Sequence, residues 1–226
     1  MMISICLATR ERPEAFKRMC WSAWKHAKHK QDIEFVSYHD NDDTSKYEYI
    51  GKHTEVVGRT KPLSEMIQAC YPSAQGPIYM FVADDFLFET YNWDQKVKDV
   101  FEKSNDKILF VAPDNSDWKR WGFGVVGFLH KNWIETVGHF LPTILGESTD
   151  RWVNDVALAL DRRVHLKNVK VHHTQIRDHI HDRKKMVCRR NRWNQRYGEF
   201  GNYREAEVQL LKAFINEQNN HILHSQ

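Results

Sequence analysis

The run Tyr79-Met80-Phe81-Val82-Ala83-Asp84-Asp85-Phe86-Leu87-Phe88 sets two adjacent carboxylates inside an otherwise apolar stretch. Two ionised neighbours repel, and burying either without a partner is costly. A turn into water, a basic partner or a bound cation would each resolve the conflict. The apolar residues before the pair, Pro77–Ala83, have the length of a strand and predict one that ends on the carboxylates.

Outward from this strand the same rhythm repeats. Ile3–Ala8 and Ile33–Tyr38 read as strands, each followed by a polar cluster, Thr9–Arg12 and Asp40–Asp43. Residues 14–28 read as a helix with Phe16, Met19, Cys20, Ala23 and Trp24 along one side, and Leu63–Tyr71 as a second. A helix is expected to start at Trp93-Asp94. Strands are predicted at Ile108–Ala112, Val125–Leu129 and Val164–Val171, and helices at Thr149–Leu160 and over 204–217.

Apolar strands too continuous to face water on one side, alternating with helices, predict an α/β fold with a mostly parallel central sheet covered by helices. No Gly-x-Gly-x-x-Gly follows the first strand, which disfavours the dinucleotide-binding form. Ligands of such sheets collect beyond the carboxyl ends of the strands, where the three polar clusters would lie.

At 226 residues, 41% hydrophobic and 28% charged, the chain fits one globular domain. Its apolar runs are too short to span a bilayer. No basic leader with a cleavage site opens the sequence, and the four cysteines form no Cys-x-x-Cys pair, so a reduced, cytoplasmic setting is expected. Charge is uneven. Residues 183–196 hold seven of the 33 basic residues and no acid; without them the net +3 becomes −4. Segment 183–196, with Trp193 among its charges, would suit a polyanionic acceptor, an anionic membrane face, or simply water.

In order and spacing, Ile3–Pro13, Phe35–Asp43 and Ile78–Asp85 resemble the nucleotide-sugar glycosyltransferases of the GT-A fold, closest to small family-2-like members. The resemblance covers residues 1–175, with 176–226 as a basic, helical extension. It implies a sugar moved from a nucleoside-diphosphate donor to an acceptor hydroxyl, with inversion, assisted by Mn²⁺ or Mg²⁺. Thr9, Arg10 and Arg12 would lie near ribose and phosphate, and Asp40 near the base. The family's Asp-x-Asp element falls on Ala83-Asp84-Asp85. Its first acid is Ala here, which shifts the metal to Asp85 and leaves Asp84 a ribose or supporting role. Lys61, in Gly58-Arg59-Thr60-Lys61, could add charge near the phosphates, or belong to a solvated loop.

In inverting members a carboxylate at the start of a late helix removes the acceptor proton. Asn154-Asp155 resembles that segment, with Asn in place of the first acid. Asp155, near the apolar face where burial would raise its pKa, is the first candidate base; its alternative is a salt bridge to Arg162 or Arg163. Asp150 is the rival, otherwise a helix cap. His173, sharing a strand face with Val169 and Val171, matches the histidine with which many such enzymes complete the metal site. His179 and His181 lack the cysteine pair of a structural zinc site.

For the acceptor, Trp121 in the Gly-rich aromatic loop Trp118–Phe128, which could equally pack in the core around a tight turn, and Arg189, Arg190, Arg192 and Trp193 are the candidates. Small glycosyltransferases of bacteriophages that modify hydroxymethylated bases in DNA have a similar compactness. A surface glycan or lipid-linked sugar is the alternative acceptor. A nucleotidyltransferase would carry a Gly-rich basic signature after the first strand, absent here. A non-catalytic nucleic-acid binder would use the basic tail and ignore the carboxylates.

Overall fold

The computed structural model describes residues 1–115, 118, 122–145, 149–174 and 197–223. Eight strands form one sheet: β1 (Ile3–Thr9), β2 (Ile33–Asp40), β3 (Lys52–Gly58), β4 (Ile78–Phe81), β5 (Phe86–Phe88), β6 (Phe110–Asp114), β7 (Gly127–His130) and β8 (Arg163–His173). Their spatial order is β3-β2-β1-β4-β7-β6-β8-β5. The pairs β1–β2, β1–β4, β2–β3 and β6–β8 are parallel; β4–β7, β6–β7 and β5–β8 are antiparallel. The expected parallel core is present, and β7 turns the direction twice, so β6 and β8 run the same way as β1.

Helices cover both faces. α1 (Pro13–His26) and α3 (Trp93–Glu102) pack on one side through Phe16, Met19, Trp93, Val97 and Phe101. On the other lie α2 (Leu63–Cys70), α4 (Lys131–Val137), α5 (Thr149–Ala159) and α6 (Gly201–Leu223), through Ile67, Trp133, Trp152, Val156 and Leu211. β1 and β2 are buried along their whole length, which explains why their sequences do not alternate. Pro13 suits the first helical position of α1, where its missing N–H costs nothing.

Several expectations move. The strand expected over Pro77–Ala83 stops at Phe81, leaving the carboxylate pair in a turn before β5. The strand expected from Ile108 starts at Phe110, because Lys107 is held in the left-handed region (φ 60°). The edge strand β3, three-residue β5 and short α4 were not expected. β3 mixes charged and apolar residues with intermediate exposure, so no clean period marks it. Two glycines let the 122–127 loop cross β6. A Cβ on Gly124 would stand 2.4 Å from that of Ala112, and one on Gly127 2.3 Å from the Phe110 ring.

Within the C-terminal extension, α6 buries Val208, Leu211 and Ile215, each worth about 2 kcal/mol. α6 itself is not basic: Arg204 and Lys212 are outnumbered by Glu205, Glu207 and Glu217. The basic residues of the extension, 183–196, lie outside the described residues.

Candidate active site at the strand ends

Parallel pairing fixes the register: β1 and β2 end level, Thr9 facing His39, while β4 stops earlier, at Phe81 facing Cys6, so the turn after it runs alongside the end of β1. The polar residues that follow each strand are thereby brought together. Asp84 is 3% exposed, and both its oxygens are engaged. The Thr9 hydroxyl donates to Oδ2 at 2.8 Å, and an Arg12 guanidinium nitrogen lies 2.8 Å from Oδ1. A basic partner therefore compensates the first acid of the pair.

Asp85 turns toward β8. Its Oδ2 lies 3.2 Å from His173 Nε2, and its backbone carbonyl accepts both the N–H and the hydroxyl of Thr174 at 2.8 Å. The His173 ring stacks on Phe86, its cross-strand partner, with centroids 4.2 Å apart, which fixes the imidazole plane. Burial pushes the Asp85 carboxyl up. Its contact with His173 and the nearby Arg12 charge outweigh that and hold it below the usual carboxylate value. Its second oxygen, Oδ1, is buried with no hydrogen-bond partner among the described residues.

The second strand end is equally ordered. Arg10 donates to Asp40 at 2.6 Å and to both oxygens of Asp42 at 2.9 Å, while Thr60 bridges Arg10 and Asp40 at 2.9 Å each. These carboxylates raise the Arg10 pKa further. Asp40 Oδ1 is buried without a partner among the described residues, whereas Oδ2 is taken. Burial pushes Asp43 up, but the Tyr47 hydroxyl and the backbone N–H groups of Glu11 and Ser45 bring it well below the carboxylate range. Asp43 thus pins Glu11, whose left-handed backbone (φ 52°) turns β1 into α1. Lys61 is exposed in the loop ahead of α2.

α5 carries the two candidate bases, as a second wall. It leads into β8, which pairs parallel with β6, so its first turn, with Asp150, is set toward the carboxyl end of β6. Asp155 lies five residues, about 7.5 Å, further along the helix. Its carboxylate accepts the Tyr197 hydroxyl and lies 3.9 Å from Arg151. The burial expected of Asp155 is not found: its side chain is 42% exposed. Neither Arg162 nor Arg163 pairs with it; Arg162 instead reaches Asp106 at 3.1 Å. Asn154, expected in the place of an acid, is buried and clamps the glycine loop. Its amide donates to Gly124 O and Asp150 O at 2.7 Å each and accepts Gly124 N–H at 3.2 Å.

Thr174 and Glu207, which the sequence did not single out, and Tyr197, expected only as an aromatic beside the basic segment, complete the surroundings. Thr174 braces the Asp85 backbone. Tyr197 lies under the Arg204 guanidinium, 3.9 Å from the ring centroid. Glu207 accepts from the Trp152 indole at 2.9 Å and lies 3.0 Å from His139. No local pattern marks the Asp85–Thr174 and Trp152–Glu207 contacts, because the partners lie far apart in sequence. Trp121, Arg189, Arg190, Arg192 and Trp193, with His179 and His181, lie outside the described residues. Two cavities, of about 450 and 410 Å³, open near Asp106 and between α4 and α6, away from these carboxylates. Among the described residues no three His, Cys, Asp or Glu side chains form a metal cluster.

No protein-family model matches the sequence, and no curated protein matches it. Solved structures do. The mannosyltransferase PcManGT from Pyrobaculum calidifontis, in complex with GDP-Man and Mn²⁺, aligns over 99% of this chain and 74% of its own, with a TM-score of 0.67 and 12% identity. S. aureus TarS 1–349 in complex with UDP aligns over 76% of this chain and 60% of its own (TM-score 0.56, 15% identity). TarS itself aligns over 77% of this chain and 37% of its own (TM-score 0.53, 13% identity). The chain thus spans 37–60% of the length of these TarS structures. It has the GT-A glycosyltransferase fold.

Proposed function

We propose that this chain transfers a sugar from a nucleoside-diphosphate donor to an acceptor hydroxyl, assisted by a divalent cation and with inversion. One observation carries the reading: three strand ends converge on a carboxylate pair whose outer member, Asp85, keeps a buried oxygen without a partner beside His173. The carboxylate oxygen suits a hard ion such as Mn²⁺ or Mg²⁺, and donor phosphates and water would fill most remaining positions, so one carboxylate with His173 beside it suffices. When bound, the ion supplies Lewis-acid stabilisation of the departing diphosphate. The neighbours solved with UDP and with GDP-Man and Mn²⁺ support this donor class.

The chain's own groups take the other roles. Thr9 and Arg12 fix Asp84 and thereby the turn that aims Asp85. Asp40 Oδ1 offers an acceptor to a nucleobase N–H, while Arg10 and Thr60 hold its other oxygen. We assign the acceptor proton to Asp150, in the first turn of α5, and a supporting role to Asp155, whose carboxylate is engaged by Tyr197. One base on the face opposite the leaving group gives a single displacement, hence inversion.

The two acceptor classes draw on different parts of the chain. A hydroxymethylated base in bacteriophage DNA rests on the composition of 183–196. A lipid-linked sugar rests on the described surface treated below, and we favour it.

The test is release of nucleoside diphosphate from a panel of UDP- and GDP-sugars, with Mn²⁺ and with chelator. Metal-dependent release from one of them is expected. No turnover of any donor, with metal present, overturns the proposal.

A further inference from the structure

We infer that the outer face of α1 docks on an anionic lipid surface. Every third or fourth residue of the helix and the turn after it faces outward: Glu14, Lys17, Arg18, Trp21, Lys25 and Lys28 are all exposed. Residues 13–30 hold five Lys or Arg against one acid, although the chain outside 183–196 is net acidic. Lys17 is paired with Glu48 at 2.7 Å; Arg18, Lys25 and Lys28 have no ion pair among the described residues.

Aromatic rings are set among these charges. Trp21 is 50% exposed and stacks on Trp24, with centroids 5.8 Å apart. Lys30 lies over the Trp24 ring at 4.4 Å, and the backbone of Gly51 packs closely on its edge. At the C-terminal end of the helix Tyr91, 63% exposed, meets His26 edge-on at 4.5 Å. An exposed indole costs free energy in water and gains nothing from the interior packing of this helix, whose opposite face supplies the core.

The chemistry selects lipid over nucleic acid. Indole and phenol rings favour the headgroup region, where an apolar body and a polar edge are both satisfied. Each Lys or Arg held near an anionic leaflet raises partitioning by about fivefold. A duplex would use the same cations on its phosphates but offers no unstacked base to Trp21. No described helix is long and apolar enough to cross a membrane, so the attachment is peripheral. The N-terminal end of α1 adjoins Arg12 and Asp84, so a helix lying along the surface brings the carboxylate edge beside it.

The inference concerns binding and stands whether or not the transfer reaction is correct. Co-flotation of the full chain with phosphatidylserine-rich vesicles, against pure phosphatidylcholine and against a competing DNA duplex, tests it. The wild type should float with the anionic vesicles only. The charge reversal R18E/K25E should lower partitioning by roughly tenfold or more, and Trp21→Ala by several-fold. Reversal of two lysines elsewhere, K103E/K212E, should leave it unchanged, and circular dichroism of every variant confirms folding. The inference is overturned if no vesicle is bound, if R18E/K25E floats like the wild type, if K103E/K212E is equally impaired, or if the duplex displaces the protein from vesicles.

Discussion

At the strand ends, Thr9, Arg12, Asp84 and Asp85 are held by one another and by Thr174, on strands whose register is fixed by backbone pairing. On α5, Asp150 and Asp155 ride on one helix, and Asp155 is held by a tyrosine 42 residues away. The first wall is preorganised by topology, since the sheet cannot form without aligning its polar ends. The second is preorganised by side-chain packing. Substitutions should therefore behave differently on the two walls: chemistry concentrates on Asp85 and Asp150, and their neighbours act through stability.

The largest effect is expected at Asp85. Asp85→Asn should lower kcat/KM for sugar transfer by about 10³-fold, with thermal stability little changed. On the other wall, Asp150→Asn should lower kcat by about 10²-fold or more, whereas Asp155→Asn should stay within about tenfold. A larger loss at Asp155 than at Asp150 would exchange their roles.

Asp84→Ala removes the carboxylate to which both Thr9 and Arg12 donate. It should cost about 3 kcal/mol of stability in urea unfolding, because a buried pair is broken from one side. Tyr197→Phe, which deletes only a hydroxyl, should cost about 1 kcal/mol and spare kcat.

Acidification separates the walls in another way. Beneath the Asp40 loop, Ser37 lies 2.6 Å from His39 Nε2 and 2.9 Å from His53 Nε2. Burial, with the neighbouring His39, lowers the His53 pKa from 6.5 to about 4. Between those values the unfolded chain binds a proton that the folded chain does not, so stability falls as pH drops from 6.5 toward 4. His53→Gln should flatten part of that slope in pH-dependent melting, by about 2 kcal/mol at the acid end.

The legibility of each wall follows the same division. The strand ends could be read because buried parallel strands leave a continuous apolar run, and a carboxylate at its end is conspicuous. The union of Thr9–Arg12, Asp40–Asp43 and Asp84–Asp85 then follows from sheet topology alone. Three features escaped because their causes are not local. Lys107 displaces β6 through a backbone angle that no pattern signals. Asn154 was expected near the chemistry but clamps Gly124, a contact that depends on how a glycine loop crosses β6. Asp155 was expected to be buried from its place on the helix wheel, yet the helix turns it toward Tyr197 and water.

The central claim is that Asp85 exists to hold a cation against a nucleotide diphosphate. Thermal melting of the wild type and Asp85→Asn, with UDP or GDP and with or without Mn²⁺, tests it most directly. A rise in Tm of the wild type that requires both nucleotide and metal, and is absent in Asp85→Asn, is the predicted result. A nucleotide-induced rise of equal size without metal, or one that survives in Asp85→Asn, would contradict it.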